Sequence, residues 1–194
     1  MLDRKLLCYD GTELSEYADL SNLASFSCND MVVDNAGRAY VGNFGFDLVN
    51  SAPRKMAEII LVQPNGDMRI VADEVSFPNG TVITPDGGTL IVAETMAGRL
   101  TAFDINDDGT LSDRRLFAQL TGAVPDGICL DEAGGIWVAS PISHEALRVV
   151  EGGEVTERIT VENQAYACML GGDTRQRLFI LTAASSDPEE CRKS

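Results

Sequence analysis

Asn29, Asn79 and Asp126 recur at matching places in this 194-residue chain. They open the segments Asn29-Asp30-Met31-Val32-Val33-Asp34, Asn79-Gly80-Thr81-Val82-Ile83-Thr84 and Asp126-Gly127-Ile128-Cys129-Leu130-Asp131. Amide and carboxylate oxygens suit a hard divalent cation such as Ca2+ or Mg2+. If the three openings meet in the fold, their oxygens point at one axis and form such a site. The competing reading is structural, because Asn-Gly and Asp-Gly steps also make turns. Glu94 ends the apolar run Leu90-Ile91-Val92-Ala93 and is a further candidate, as an oxygen ligand, a base or a surface carboxylate.

Other chemistries lack their residues. There is one histidine, His144, so a multi-histidine zinc site within the chain is excluded, and no cysteine cluster replaces it. No Walker loop and no G-x-G-x-x-G segment is present. Ser143 beside His144 is a nucleophile–base pair on paper, but the G-x-S-x-G elbow is missing and His144 reads as a turn histidine. The five cysteines, Cys8, Cys28, Cys129, Cys168 and Cys191, include no C-x-x-C pair. Reduced thiols and a cytoplasmic setting are expected, with Cys28 a small packed residue rather than a reactive thiol. The net charge of −15 argues against nucleic-acid and anionic-membrane partners. No stretch is long and apolar enough to span a membrane, and no signal-peptide pattern opens the chain.

The elements that must position the three oxygens follow from the spacing. The openings lie about 50 and 47 residues apart, and a worn fourth copy, Ala167 to Asp173, begins about 41 residues after Asp126. Each opening leads through an apolar strand and a turn with Asp or Glu near Gly into a second strand: Ala39-Tyr40-Val41-Gly42, Leu90-Ile91-Val92-Ala93, Ile136-Trp137-Val138-Ala139. Further strand pairs join at Asn65-Gly66, Asp108-Gly109 and Gly152-Gly153, steps that favour hairpin turns. Four antiparallel strands per repeat at this period is the pattern of a propeller blade, and no window has sustained helical periodicity. The expectation is an all-β chain forming one domain over residues 1–194, a partial β-propeller of about four blades of a six-bladed architecture.

A closed six-bladed propeller needs roughly 250–300 residues at this period. The segment from Lys5 to Gly11 reads as the outer hairpin of a first blade whose inner strands are absent, and the last copy holds a single strand pair. A chain cut at both ends is expected to be less stable than a closed propeller and to self-associate through its open edges.

The phrases Cys28-Asn29-Asp30, Phe77-Pro78-Asn79-Gly80, Thr84-Pro85-Asp86-Gly87, Pro125-Asp126-Gly127-Ile128-Cys129 and Ile136-Trp137-Val138-Ala139, in this order and spacing, resemble the SMP-30/gluconolactonase/LRE-like family of six-bladed propellers. The resemblance implies one divalent cation in the central channel, Ca2+ first, with Zn2+, Mn2+ or Mg2+ as alternatives. It implies Asn79 and Asp126 as metal ligands and Asn29 as a residue near substrate and metal. The family's Glu ligand comes from a Glu-Gly-Pro type segment that has no counterpart here, and Ser27 stands where some members carry a substrate-contacting Arg. The implied activity is hydrolysis of sugar lactones or related small esters, with Asp126 as ligand and as proton acceptor or nucleophile, and Glu94 as an accessory carboxylate on the substrate side. The competing readings are a non-enzymatic propeller that binds a ligand or protein, and a truncated chain without independent activity.

Overall fold

A computed structural model describes residues 4–191. The first hairpin pairs β1 (Lys5–Tyr9) with β2 (Leu14–Asp19). Three four-stranded antiparallel meanders follow: β3 (Cys28–Val33) to β6 (Met68–Val75), β7 (Pro78–Ile83) to β10 (Leu111–Gln119), and β11 (Ile128–Leu130) to β14 (Val155–Thr160). A last hairpin pairs β15 (Gln164–Gly171) with β16 (Arg177–Ala183). Among the described residues helix is limited to a short turn at Thr95–Ala97 and α1 (Pro188–Cys191). The fold is all-β, as the sequence predicts, and the four repeat openings fall at the first strands of the three four-stranded sheets and of the last hairpin.

The hairpin glycines behave as expected. Gly66, Gly109, Gly152 and Gly153 all lie at positive φ, where a Cβ would clash with the backbone. At the turns that end each first strand, Asp34 and Asp131 act as staples. Asp34 Oδ1 accepts the Ala36 and Arg38 N–H groups, and Asp131 Oδ1 accepts those of Ala133 and Gly135. Arg38 and Arg148 close salt bridges over these turns at 2.6 Å.

The second strand of each meander is buried along its length. These are β4 (Ala39–Asn43), β8 (Thr89–Glu94, save its first residue) and β12 (Ile136–Ser140). Burial on both faces explains why they read as continuous apolar runs. Alternate residues serve different neighbours. Tyr40 and Leu61 pack with Leu90 and Val92 of the next sheet, whereas Val41 and Ile60 pack back on Ala18 and Leu20. Ile91 and Ala93 meet Ile136 and Val138, and Trp137 and Ala139 pack on Ala165 and Cys168. Each four-stranded sheet is thus sandwiched between its chain neighbours, and the core is a series of face-to-face layers.

The first strands form a contiguous wall: β3 contacts β7, β7 contacts β11, and β11 contacts β15. Gly80 N–H donates to the Asp126 carbonyl at 3.1 Å, and Gly127 N–H to the Tyr166 carbonyl at 2.9 Å. A Cβ on Gly80 would lie 2.5 Å from the Ile128 nitrogen, and one on Gly127 would lie 2.9 Å from Tyr166 O. These two glycines are therefore fixed by close backbone approach between sheets. They are absent from the positive-φ residues, so the turn reading of Asn79-Gly80 and Asp126-Gly127 is corrected.

Candidate metal and hydrolase site

The repeat openings share one irregularity. Pairing slips between Cys28 and Met31 in β3, between Pro78 and Thr81 in β7, and between Ala165 and Ala167 in β15. In the third repeat, Asp126 N–H donates to the Ala139 carbonyl while Ala139 N–H donates to Gly127 O, both at 2.9 Å. Two residues thus oppose one, which is a β-bulge. A bulge breaks the strict alternation of faces, so neighbouring side chains no longer point to opposite sides of the sheet. It lies at the start of every first strand, at the positions of Asn29, Asn79, Asp126 and Tyr166.

The two amides are held by their nitrogens. Asn29 Nδ2 donates to the Pro78 carbonyl at 3.1 Å, across to the next sheet. Asn79, itself buried, donates from Nδ2 to Thr95 Oγ1 at 3.2 Å. The Thr95 hydroxyl donates in turn to the Pro125 carbonyl at 2.8 Å, so toward Asn79 it can only accept. That fixes the orientation of the Asn79 amide. Among the described residues no hydrogen bond reaches the Oδ1 atom of either asparagine.

Asp126 lies beside Asn79 and within electrostatic reach of Asp30. Its carboxyl is pushed up to about 6, first by burial and then by the Asp30 charge; the Asn79 amide and the Gly127 N–H oppose the rise. Burial also raises Asp30. Among the described residues no salt bridge reaches either carboxylate. Two half-buried carboxylates without a basic side-chain partner, next to two unused amide oxygens, make a site whose charge suits a cation. The donor set is all oxygen and fits a hard divalent cation. Among the described residues no three His, Cys, Asp or Glu side chains cluster, so the amide oxygens of Asn79 and Asn29 would have to complete the ligand shell.

Asp30 was missed by the sequence reading. On a regular strand Asn29 and Asp30 face opposite ways, and only the bulge brings the second residue toward Asp126. The available signal was the first repeat's Asp at the place where the second and third carry Gly80 and Gly127.

Glu94 has another task. It is fully buried, and its carboxylate accepts from Ser76 N–H at 2.7 Å, Arg99 Nε at 2.9 Å, the Thr101 hydroxyl and an Arg114 Nη at 3.2 Å. Burial alone would raise its pKa, but Arg99, Thr101 and the Ser76 N–H together hold it below the usual carboxylate range. With both oxygens engaged and no exposed surface, Glu94 has no acceptor left for substrate. The sequence expectation of a substrate-side carboxylate is corrected to that of an ion-pair hub behind the β7–β8 end of the site. Ser27 is buried and its carbonyl accepts the Phe44 N–H at 3.0 Å. His144 is exposed, at a φ of 54°, with Nδ1 3.3 Å from the Glu162 carbonyl, as a turn residue should be.

A cavity of about 690 Å3 lies farther along the same first strands, lined by Met31, Thr81, Ile83 and Met169 among others. None of Asn29, Asp30, Asn79 or Asp126 lines it, so its size does not mark the chemistry.

Comparison with known proteins identifies relatives of the chain in sequence and in fold. The chain is 26% identical over 175 residues to regucalcin of Danio rerio, covering 88% of this chain and 59% of that protein. It is 26% identical over 166 residues to the 6-deoxy-6-sulfogluconolactonase of Pseudomonas putida, covering 84% of this chain and 56% of that one. The chain therefore spans little more than half the length of these curated relatives. The crystal structure of a calcium-binding regucalcin from Agrobacterium tumefaciens superposes with a TM-score of 0.79 at 23% identity, over 98% of this chain and 66% of that one, which establishes likeness of fold. The profile of the SMP-30/Gluconolactonase/LRE-like region matches residues 2–184, and the chain belongs to that family.

Proposed function

We propose that this chain carries the cation and substrate site of a divalent-metal-dependent, gluconolactonase-like hydrolase acting on sugar lactones or related small esters. One observation carries the reading: Asp126 and Asp30 are brought together, half-buried and with no cationic side chain paired to either among the described residues, beside the unused oxygens of Asn79 and Asn29. Family membership and the lactonase named among the relatives support it.

In this reading Asp126 and Asn79 hold the cation, Ca2+ first among the candidates. The bound cation would polarise the lactone carbonyl and stabilise the negative charge that develops on its oxygen. Asp126 takes up the proton released by the attacking water. Asn29, anchored through its nitrogen, offers its oxygen to orient substrate. Asp30 keeps the site negative enough to retain a dication. Glu94 acts as a positioning residue, holding Ser76 and, with Thr95, the approach to Asn79.

We read residues 1–194 as one domain forming about four blades of a six-bladed propeller. The layered sheets and the wall of first strands support that reading. Exposed Leu7, Tyr9 and Leu14 on the first hairpin and Phe179 and Leu181 on the last favour self-association there. A cytoplasmic setting fits the cysteine pattern. Among the described residues no helix is long and apolar enough to cross a membrane.

The test is acid release from an aldonolactone with added Ca2+, Mn2+ or Zn2+, compared between the native chain and Asp126→Ala. A fall of at least about 100-fold in kcat/KM is expected, the usual scale for losing an electrostatic and proton-accepting group. Equal rates would remove Asp126 from the chemistry. Stoichiometric cation binding without turnover would instead make the chain a binding module.

A further inference from the structure

The connection between β4 and β5 (Ala57–Val62) is unlike its counterparts. It runs over residues 44–56, thirteen positions, whereas the equivalent connection after β8 has four. In an antiparallel meander the end of the second strand lies beside the start of the first, so this loop stands at the same end of the sheets as Asn29, Asn79 and Asp126. Long loops at such places generally serve binding.

The loop is built onto the site. Phe44 stacks on Phe77 at 4.7 Å between ring centroids, and Phe46 meets the same ring edge-on at 5.9 Å. Phe77 lies two residues before Asn79 and holds a φ of 60°, a left-handed conformation that is unfavourable for a residue with a side chain. Its carbonyl accepts the N–H of Thr95, the residue that orients Asn79. Asn50 Nδ2 donates to Asp47 within the loop at 2.7 Å, and among the described residues Asp47 forms no salt bridge with the loop's basic residues.

Those basic residues are Arg54 and Lys55. With Phe46, Phe77 and Met96 they line a cavity of about 200 Å3. Both are exposed, and among the described residues neither makes a hydrogen bond or ion pair. In a chain of net charge −15, two adjacent uncompensated cations over an aromatic floor form a local exception. Lysine and arginine together recognise a phosphate, sulfonate or carboxylate, while the Phe and Met surfaces take an apolar stem.

We propose that this pocket selects lactones carrying an anionic substituent remote from the ring carbonyl, with Arg54 and Lys55 as the specificity-determining pair. The proposal rests on the lactonase reading of the adjoining oxygen site. Binding and turnover therefore need separate measurement.

For binding, the full chain is titrated calorimetrically with 6-phosphogluconate, glucarate and gluconate, which present a phosphate, a second carboxylate and no remote anion. At least tenfold tighter binding of 6-phosphogluconate or glucarate than of gluconate is expected, and which of the two wins identifies the anion. The preference should disappear in R54S/K55S, whose substitutions are at exposed positions. Equal binding of all three, or a preference that survives in R54S/K55S, overturns the proposal. For turnover, 6-phosphogluconolactone is compared with gluconolactone. The double variant should raise KM for the phosphorylated lactone about tenfold and leave kcat and the neutral lactone unchanged. A fall in kcat for both lactones would also overturn it. If neither lactone is hydrolysed but the binding preference holds, the lactonase reading fails and the anion pocket stands.

Discussion

Glu94 and Asp126 are both carboxylates withdrawn from water at the same end of neighbouring sheets, and they have opposite surroundings. Glu94 meets two guanidinium groups, a hydroxyl and a backbone N–H, and its proton affinity falls. Asp126 meets another carboxylate and an amide, and its proton affinity rises to about 6. Burial is common to both and explains neither role. A carboxylate whose burial is offset by fixed cations belongs to the framework. One whose burial is left unbalanced is available to a mobile cation or a proton.

The largest effect expected from this contrast is on stability. Glu94→Gln leaves Arg99 and Arg114 facing a neutral group and should cost about 3 kcal/mol, the low end for breaking a buried pair because both guanidiniums are partly exposed. Urea unfolding would measure it. An unchanged midpoint would mean that Glu94 is dispensable to the framework and would reopen its assignment.

A smaller effect is expected where the two regions meet. Thr95→Val keeps shape but removes the hydroxyl that orients the Asn79 amide. Divalent-cation affinity should fall about tenfold, as for other losses of a ligand-orienting hydrogen bond, with unfolding little changed. Calorimetric titration with Ca2+ reads this directly.

The smallest effect is a pH dependence of opposite sign in the two regions. Asp126 has a folded pKa raised from 3.8 to about 6, so its contribution to stability is complete below pH 3.8 and is lost as pH rises through 6. Glu94 has a lowered folded pKa, so its contribution is present above the ordinary 4.5 and is lost as pH falls through the lower folded value. In chelator, the unfolding midpoint should therefore decline from about pH 4.5, where the Glu94 contribution is complete, to a little above pH 6. Saturating Ca2+ should flatten that decline, as should Asp126→Asn, which gains up to about 1 kcal/mol at pH 7 by removing one of two like charges. A midpoint that climbs over this range in chelator would contradict the unbalanced state of Asp126.

The repeat made much of this molecule readable. Apolar runs at a steady period gave the strands, and Gly66, Gly109 and Gly152 marked hairpins that form at those places. The oxygens at Asn29, Asn79 and Asp126 stood out because the repeat set them in register. Glu94 was misread because its partners Ser76, Arg99, Thr101 and Arg114 come from two strands and a loop, and no local pattern announces that they converge. Gly80 and Gly127 looked like turn residues, since a sequence does not reveal that a neighbouring backbone passes within reach of the missing Cβ.

Local chemistry therefore decided the elements: which segments are strands, where they turn, and which residues carry hard oxygen donors. Tertiary structure alone decided the electrostatic fate of each donor. A bulge, which breaks the period of two, brought Asp30 toward Asp126. Layered packing of the sheets gave Glu94 its cations and left Asp126 without one. The energy of a charge depends on what lies within a few ångströms of it, and for residues as far apart in the chain as Asp30 and Asp126 that distance exists only once the sheets have packed.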